Sequence, residues 1–131
     1  MAKILIVDDS SIIRESLRGT LAGGGHEVLE APDGAQALKL VMATPDIELL
    51  LTDINMPNLD GFGLCREIMN NFPAGRRAPS AIALTTESSA EMKQKGREVG
   101  IKGWLNKPHD PERLLLAVNM ILEKRKTEAV T

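Results

Sequence analysis

Short apolar runs separated by longer amphipathic stretches leave this chain few ways to fold. The runs are Ile4-Leu5-Ile6-Val7, Glu27-Val28-Leu29-Glu30-Ala31, Ile47-Glu48-Leu49-Leu50-Leu51, Ala81-Ile82-Ala83-Leu84 and Gly103-Trp104-Leu105. The first and third are almost wholly apolar, as parallel strands covered on both faces must be. The second mixes acidic and apolar residues and suits an edge position. Helix-start signals open the stretches between: Ser10, Pro32-Asp33, Asp60-Gly61, Ser88 or Ser89, and Asp110-Pro111, the clearest of them. Gly23-Gly24-Gly25 ends the first helix. Five strands alternating with five helices predict an α/β fold, a doubly wound five-stranded parallel sheet with strand order 2-1-3-4-5.

The 131 residues make one domain, predicted to span 1–126 with a short charged tail at 127–131. Aromatic residues are 2% of the chain, which argues against a base-stacking surface, and the net charge of -2 argues against a phosphate-backbone binder. No nucleic acid partner is expected. No apolar run is long enough to span a bilayer, the N-terminus lacks signal-peptide features, and the lone Cys65 fits a reducing compartment. These features predict no membrane association and a cytoplasmic location.

Ligands of open parallel sheets bind beyond the carboxyl ends of the strands, where the strand order reverses. Asp8 and Asp9 follow the first strand and Asp53 closes the third, so three carboxylates should converge at that point. Two carboxylates about 4 Å apart at an effective dielectric near 20 repel by about 4 kcal/mol. A hard divalent cation with oxygen ligands, Mg2+ before others, would offset that. Taken singly, the same residues also read as a solvated helix cap and a turn residue. Thr85 closes the fourth strand and Lys107 follows the fifth, on the same edge. Three carboxylates, a hydroxyl and an ammonium form a cradle for a tetrahedral dianion, and a carboxylate can itself accept a phosphoryl group.

The strings Ile4-Leu5-Ile6-Val7-Asp8-Asp9, Thr52-Asp53-Ile54-Asn55-Met56-Pro57-Asn58-Leu59-Asp60-Gly61, Leu84-Thr85-Thr86-Glu87 and Lys107-Pro108 resemble the receiver domain of bacterial two-component response regulators. The fold of that family is flavodoxin-like. Within the family the chain resembles the small stand-alone receivers of chemotaxis systems. The resemblance implies a phosphoprotein of phosphorelay signal transduction, a switch rather than a turnover enzyme. It implies that Asp53 accepts a phosphoryl group from a sensor histidine kinase, with Lys107 and Thr85 contacting its oxygens. It implies Mg2+ held by the side chains of Asp9 and Asp53 and the backbone carbonyl of Asn55, with Asp8 acting through water. Thr85 and Trp104 match the switch positions, and Asn55 and Glu87 match the positions that tune hydrolysis. The Lys107–Pro108 bond is expected to be cis. The partners implied are the kinase, a downstream effector or motor-type protein, and a phosphatase.

His109, Asn106, Trp104 and Thr86 depart from the commonest family residues, and the bulk of Thr86 bears on how an aromatic ring could swing. In the last helix Leu114, Leu115, Val118, Ile121 and Leu122 share the sheet-facing arc, while Leu116 and Met120 lie opposite. Those two and Trp104 form the expected partner surface. The basic groups Arg76-Arg77, Lys93-Gln94-Lys95 and Lys124-Arg125-Lys126 read as solvated faces, and His26 and His109 as surface or loop residues. A non-phosphorylated pseudo-receiver interaction module is the competing reading, disfavoured by the intact Asp9, Asp53, Thr85 and Lys107. An aspartyl phosphatase would need a carboxylate at position 55, where Asn55 stands.

Overall fold

Alternate residues of a strand point to opposite faces, and in this chain both faces are apolar. The computed structural model describes residues 2–129. The strands are β1 (Lys3–Val7), β2 (Glu27–Ala31), β3 (Leu49–Thr52), β4 (Ser80–Thr85) and β5 (Ile101–Asn106). They form one parallel sheet in the order β2-β1-β3-β4-β5, connected by α1 (Ser11–Gly23), α2 (Gly34–Ala43), α3 (Gly61–Asn71) and α4 (Ala90–Glu98), with α5 (Pro111–Ala129) last. Leu5, Val7 and Leu50 face the layer of α2, α3 and α4, against Ala37, Val41, Leu64 and Ile68. Ile4, Ile6, Leu49 and Leu51 face α1 and α5, against Leu17, Leu21, Leu114 and Val118. Each such buried Leu or Ile contributes roughly 1.5–3 kcal/mol, so the central strands anchor the molecule.

The helices begin where the side chains require. Ser10, Asp33, Asp60 and Ser89 accept hydrogen bonds from the backbone N–H of Ile13, Gln36, Gly63 and Met92 at 3.3, 2.8, 2.7 and 3.1 Å. Each cap is worth about 1 kcal/mol. Gly25 turns the chain into β2 at φ 88°, a left-handed conformation that suits glycine. Among the described residues no helix is long and apolar enough to cross a membrane.

Some boundaries shift from the expected ones. The third strand starts at Leu49 rather than Ile47, because the lateral register with β1 begins at Ile4 opposite Leu49. The fifth strand starts at Ile101, hidden in sequence by the exposed Lys102 between two inward residues. Helix α5 continues past Lys126, so residues 127–129 are helical and the boundary drawn at 126/127 falls inside it; residues 130–131 lie outside the described residues. Its inner arc is as expected, with Leu114 and Val118 fully covered and Leu116 and Met120 exposed.

The larger correction concerns the basic groups. Arg125 is not on a solvated face: it is buried, and its Nη1 donates to the Ala78 carbonyl at 2.8 Å and to Ser80 Oγ at 3.1 Å. Arg77 in turn donates to the Arg125 carbonyl at 2.7 Å and to Glu128 at 3.1 Å. The two arginines fasten the end of α5 to the amino end of the sheet. His26 is half-buried and accepts the Ala2 N–H through Nδ1 at 3.3 Å. Burial pushes the Cys65 thiol up to about 12, with Asp60 adding to the effect, so it stays protonated and inert.

Candidate functional site

Sheet hydrogen bonding continues one residue past three strands, and this places the chemistry. Asp53 N–H donates to the Val7 carbonyl at 2.9 Å, Asp8 N–H to Ala31 at 3.2 Å, and Lys107 N–H to Thr85 at 2.9 Å. Three polar residues are thus fixed by backbone at the carboxyl edge of β1, β3 and β5. The chain then doubles back from Asp53 to α3, where the Gly61 N–H donates to the Ile54 carbonyl at 2.9 Å. A Cβ on Gly61 would lie 2.4 Å from the Asp53 carbonyl oxygen, so only glycine allows this approach. Asn58, at φ 70°, makes the tight part of the loop, a conformation Asn tolerates better than most residues.

Carboxylate oxygens of Asp8, Asp9 and Asp53 all lie within 4.8 Å of one another. Asp8 and Asp53 are buried and Asp9 is exposed. Lys107 Nζ sits between the buried pair, 2.6 Å from Asp8 Oδ2 and 2.9 Å from Asp53 Oδ2. The other oxygens of those two residues take backbone donors, Ser10 N–H at 2.9 Å on Asp8 and Ile54 N–H at 2.7 Å on Asp53. Burial alone would lower the Lys107 pKa, but its bonds to Asp8 and Asp53 outweigh that and raise it above 10.5. One ammonium therefore faces three carboxylates, and among the described residues no cation lies within 4 Å of Asp9. The uncompensated charge is negative and opens toward solvent through Asp9.

Around this centre the expected residues assemble. Thr85 is buried at the end of β4, and its Oγ1 accepts the Glu87 N–H at 3.3 Å. Asn55 Nδ2 donates to Glu87 Oε1 at 2.9 Å, and Trp104 Nε1 donates to the Glu87 carbonyl at 3.0 Å. The Trp104 ring is half-buried, 6.4 Å from the Phe62 ring. Leu116 and Met120 are away from the carboxylates on the outer face of α5, 62% and 57% exposed. The Lys107–Pro108 peptide bond is cis. Burial lowers the pKa of His109, against the opposing effect of Asp110.

Sequence reasoning missed two supports. Arg14 donates to the Asp8 carbonyl at 2.7 Å and to Glu30 at 3.1 Å, tying α1, the end of β1 and β2 together. Glu87 is a junction through three separate bonds, to Thr85, Asn55 and Trp104. Only helical spacing from Ser10 hinted at the first; the resemblance paired Asn55 with Glu87, but nothing in the sequence hinted at the bonds of Glu87 to Thr85 and Trp104.

Comparison with known proteins agrees with this geometry. Residues 4–119 match the response regulator receiver domain. The chain is 35% identical over 126 residues to the response regulator MprA of Mycobacterium ulcerans, covering 96% of this chain and 52% of that protein. It therefore spans about half the length of the curated relatives it matches. Among solved structures, chemotaxis protein CheY4 of Vibrio cholerae is 37% identical with a TM-score of 0.82, over 92% of this chain and 98% of that one. A CheY-like receiver domain protein from Methanospirillum hungatei is 26% identical with a TM-score of 0.87, over 98% of both chains. By sequence, strand order and the match over residues 4–119, this chain belongs to the receiver domain family of two-component response regulators.

Proposed function

We propose that this receiver takes a phosphoryl group on Asp53 from a phosphohistidine of a sensor kinase and thereby changes its affinity for a downstream protein. The observation that carries the reading is Lys107 Nζ held 2.9 Å from Asp53 Oδ2 amid three converging carboxylates. The Asp53 carboxylate attacks phosphorus, the N–P bond to the kinase imidazole breaks, and the imidazole keeps the electron pair and takes up a proton. The product is an acyl phosphate. Its oxygens arrive within reach of the Lys107 ammonium, which gives up one of its two carboxylates to meet them. Thr85 adds its hydroxyl as a donor.

The donor set fits Mg2+: three hard carboxylates close together, one of them exposed and, among the described residues, without a cationic partner. Asp9 and Asp53, with the Asn55 carbonyl, would hold the ion. Asp8 has both oxygens occupied by Lys107 and Ser10, which suits a role through water. The ion supplies charge neutralisation for the transferred group. Asn55 and Glu87 stand at the mouth of the site and set the rate at which water removes the phosphoryl group.

A switch follows from the bonds of Glu87. Drawing the Thr85 hydroxyl toward a phosphoryl oxygen loads the Thr85–Glu87 bond, and the Glu87 carbonyl holds Trp104. Trp104, Leu116 and Met120 then present the partner surface. The output is read as chemotaxis-type, supported by the likeness to CheY4 over 98% of that protein's chain. The protein acts as a cytoplasmic signalling switch that undergoes its own phosphorylation and dephosphorylation, with a phosphatase as a further partner.

The test is phosphotransfer from each purified sensor kinase of the source organism. One kinase should label the wild type rapidly with Mg2+ and leave Asp53→Asn unlabelled. Failure of every kinase and of small acyl-phosphate donors would instead support a pseudo-receiver. Trp104, the only tryptophan, should change its fluorescence with a phosphate mimic plus Mg2+ beyond the effect of Mg2+ alone.

A further inference from the structure

The amino end of the sheet, opposite the phosphoacceptor, holds a second set of charges that the receiver function does not use. A cavity of about 380 Å³ opens there, bordered by Lys3, Asp46, Glu48, Arg76, Arg77 and Arg125. That size is within the range of small-molecule sites. The charges are unequally matched. Lys3 satisfies Asp46 at 2.9 Å and also reaches Glu27 at 3.5 Å, and Arg77 takes Glu128 at 3.1 Å. Among the described residues no carboxylate lies within 4 Å of the guanidinium of Arg76 or of Arg125. Among the described residues Arg125 bonds neutral oxygens, those of Ala78 and Ser80.

Arg76 is the sharper anomaly. Its Nε and Nη2 are shielded from solvent and have no hydrogen-bond partner among the described residues. These two nitrogens form one edge of the guanidinium fork, whose parallel N–H groups match two oxygens of a single carboxylate or phosphate. Buried donors are almost always satisfied, and an orphan charged pair is costly. The guanidinium carbon lies 5.1 Å from the centre of the Phe72 ring, which fixes the plane of the group without supplying an acceptor. Burial, then the like charge of Arg77, lowers the Arg125 pKa despite Glu48 and Glu128.

We propose that this cavity binds a small phosphate-bearing ligand, its phosphoryl oxygens bridging the free edge of Arg76 and the guanidinium of Arg125. Arg76 is on the irregular connector between α3 and β4, where its side chain can adjust without disturbing a strand. Arg125 is near the end of α5. A ligand joining them would tie that helix end more firmly to the sheet and so damp local opening of the last turns of α5. This cavity is at the amino end of the sheet, whereas Asp53 is at its carboxyl end.

The full chain, in a chelator and without Mg2+, is titrated with inorganic phosphate and separately with a nucleoside monophosphate while guanidinium and amide NMR signals are followed. The Arg76 Nε–H signal and amides near Ala78 and Arg125 should shift saturably, with half-saturation at about 1 mM or below. The amides of Asp8 and Asp53 should stay still. Equal affinity for both probes identifies free phosphate as the occupant, and tighter nucleotide binding identifies an organic phosphate. Arg76→Gln should weaken binding at least about tenfold, and Arg76→Lys, which keeps the charge but not the fork, should fall between. No saturable shift up to about 50 mM of either probe, or unchanged binding by folded Arg76→Gln, would overturn the proposal.

Discussion

The two ends of the parallel sheet carry opposite imbalances of charge and solve them differently. At the carboxyl end three carboxylates share one ammonium, and the excess is left facing solvent at Asp9. At the amino end the buried Arg125 turns to a carbonyl and a hydroxyl, and Arg77 closes over it. The first arrangement leaves negative charge open to solvent and uses backbone bonds to hold it in place. The second spends most of its donors on the protein's own chain. Charged groups at strand ends are therefore not equivalent. What their hydrogen bonds already satisfy decides whether they are poised for chemistry or fasten the fold.

The comparison breaks most visibly at Gly61. A methyl there meets the Asp53 carbonyl oxygen at 2.4 Å and the Ile54 Cα at 2.9 Å, both backbone atoms that cannot turn aside. Gly61→Ala should cost about 3 kcal/mol, the upper end for overpacking, read as a lower urea midpoint. Asp53 should also react more slowly with any donor, because its backbone is displaced. A variant with wild-type stability and labelling would mean that the loop is looser than the geometry implies.

At the other end, Arg125→Met removes the bonds to Ala78 and Ser80 while keeping an apolar stem. A loss of about 2 kcal/mol is expected, since charged donors to buried acceptors are worth roughly that much. Phosphoryl acceptance by the folded variant should be unchanged, because no bond of Arg125 reaches the carboxyl end. Loss of labelling without loss of stability would erase the division of labour between the two ends.

A smaller effect sharpens the same contrast through pH. Lys107 has its pKa raised above 10.5 in the folded protein, the bonds from Asp8 and Asp53 overcoming burial. Its contribution is fully present below the unfolded value of 10.5 and is lost as pH rises through the folded one. Lys107→Met should cost about 1 kcal/mol at neutral pH, discounted because the cluster opens to water. The gap between variant and wild type should close in strong alkali. A gap independent of pH would show that packing of the lysine stem, not its charge, carries the effect.

Much of the carboxyl end was legible because each of its residues adjoins an apolar run. Val7 is followed by Asp8, Thr52 by Asp53 and Leu84 by Thr85, so knowing the strands located the side chains. Lys107 needed only that the fifth run be a strand. The amino end had no such anchor. Arg125 meets Ala78 across 47 residues, and its place in Lys124-Arg125-Lys126 gives no sign that one basic residue of three turns inward. That depends on the phase of α5 over the sheet, which Leu114, Val118 and Leu122 set and which reaches Arg125 three residues later. The Glu87 junction was hidden for a related reason: two of its three bonds use backbone atoms, which any residue has.

The most direct test of the carboxyl end as a phosphoacceptor is residue mapping after reaction with a small acyl-phosphate donor. The wild-type protein should acquire one base-labile phosphoryl group, on Asp53 and only with Mg2+ present. Asp8→Asn and Lys107→Met should slow or weaken the modification without moving it. A phosphoryl group found on Asp8, Asp9 or any other residue, or equal labelling of Asp53→Asn, would contradict the assignment.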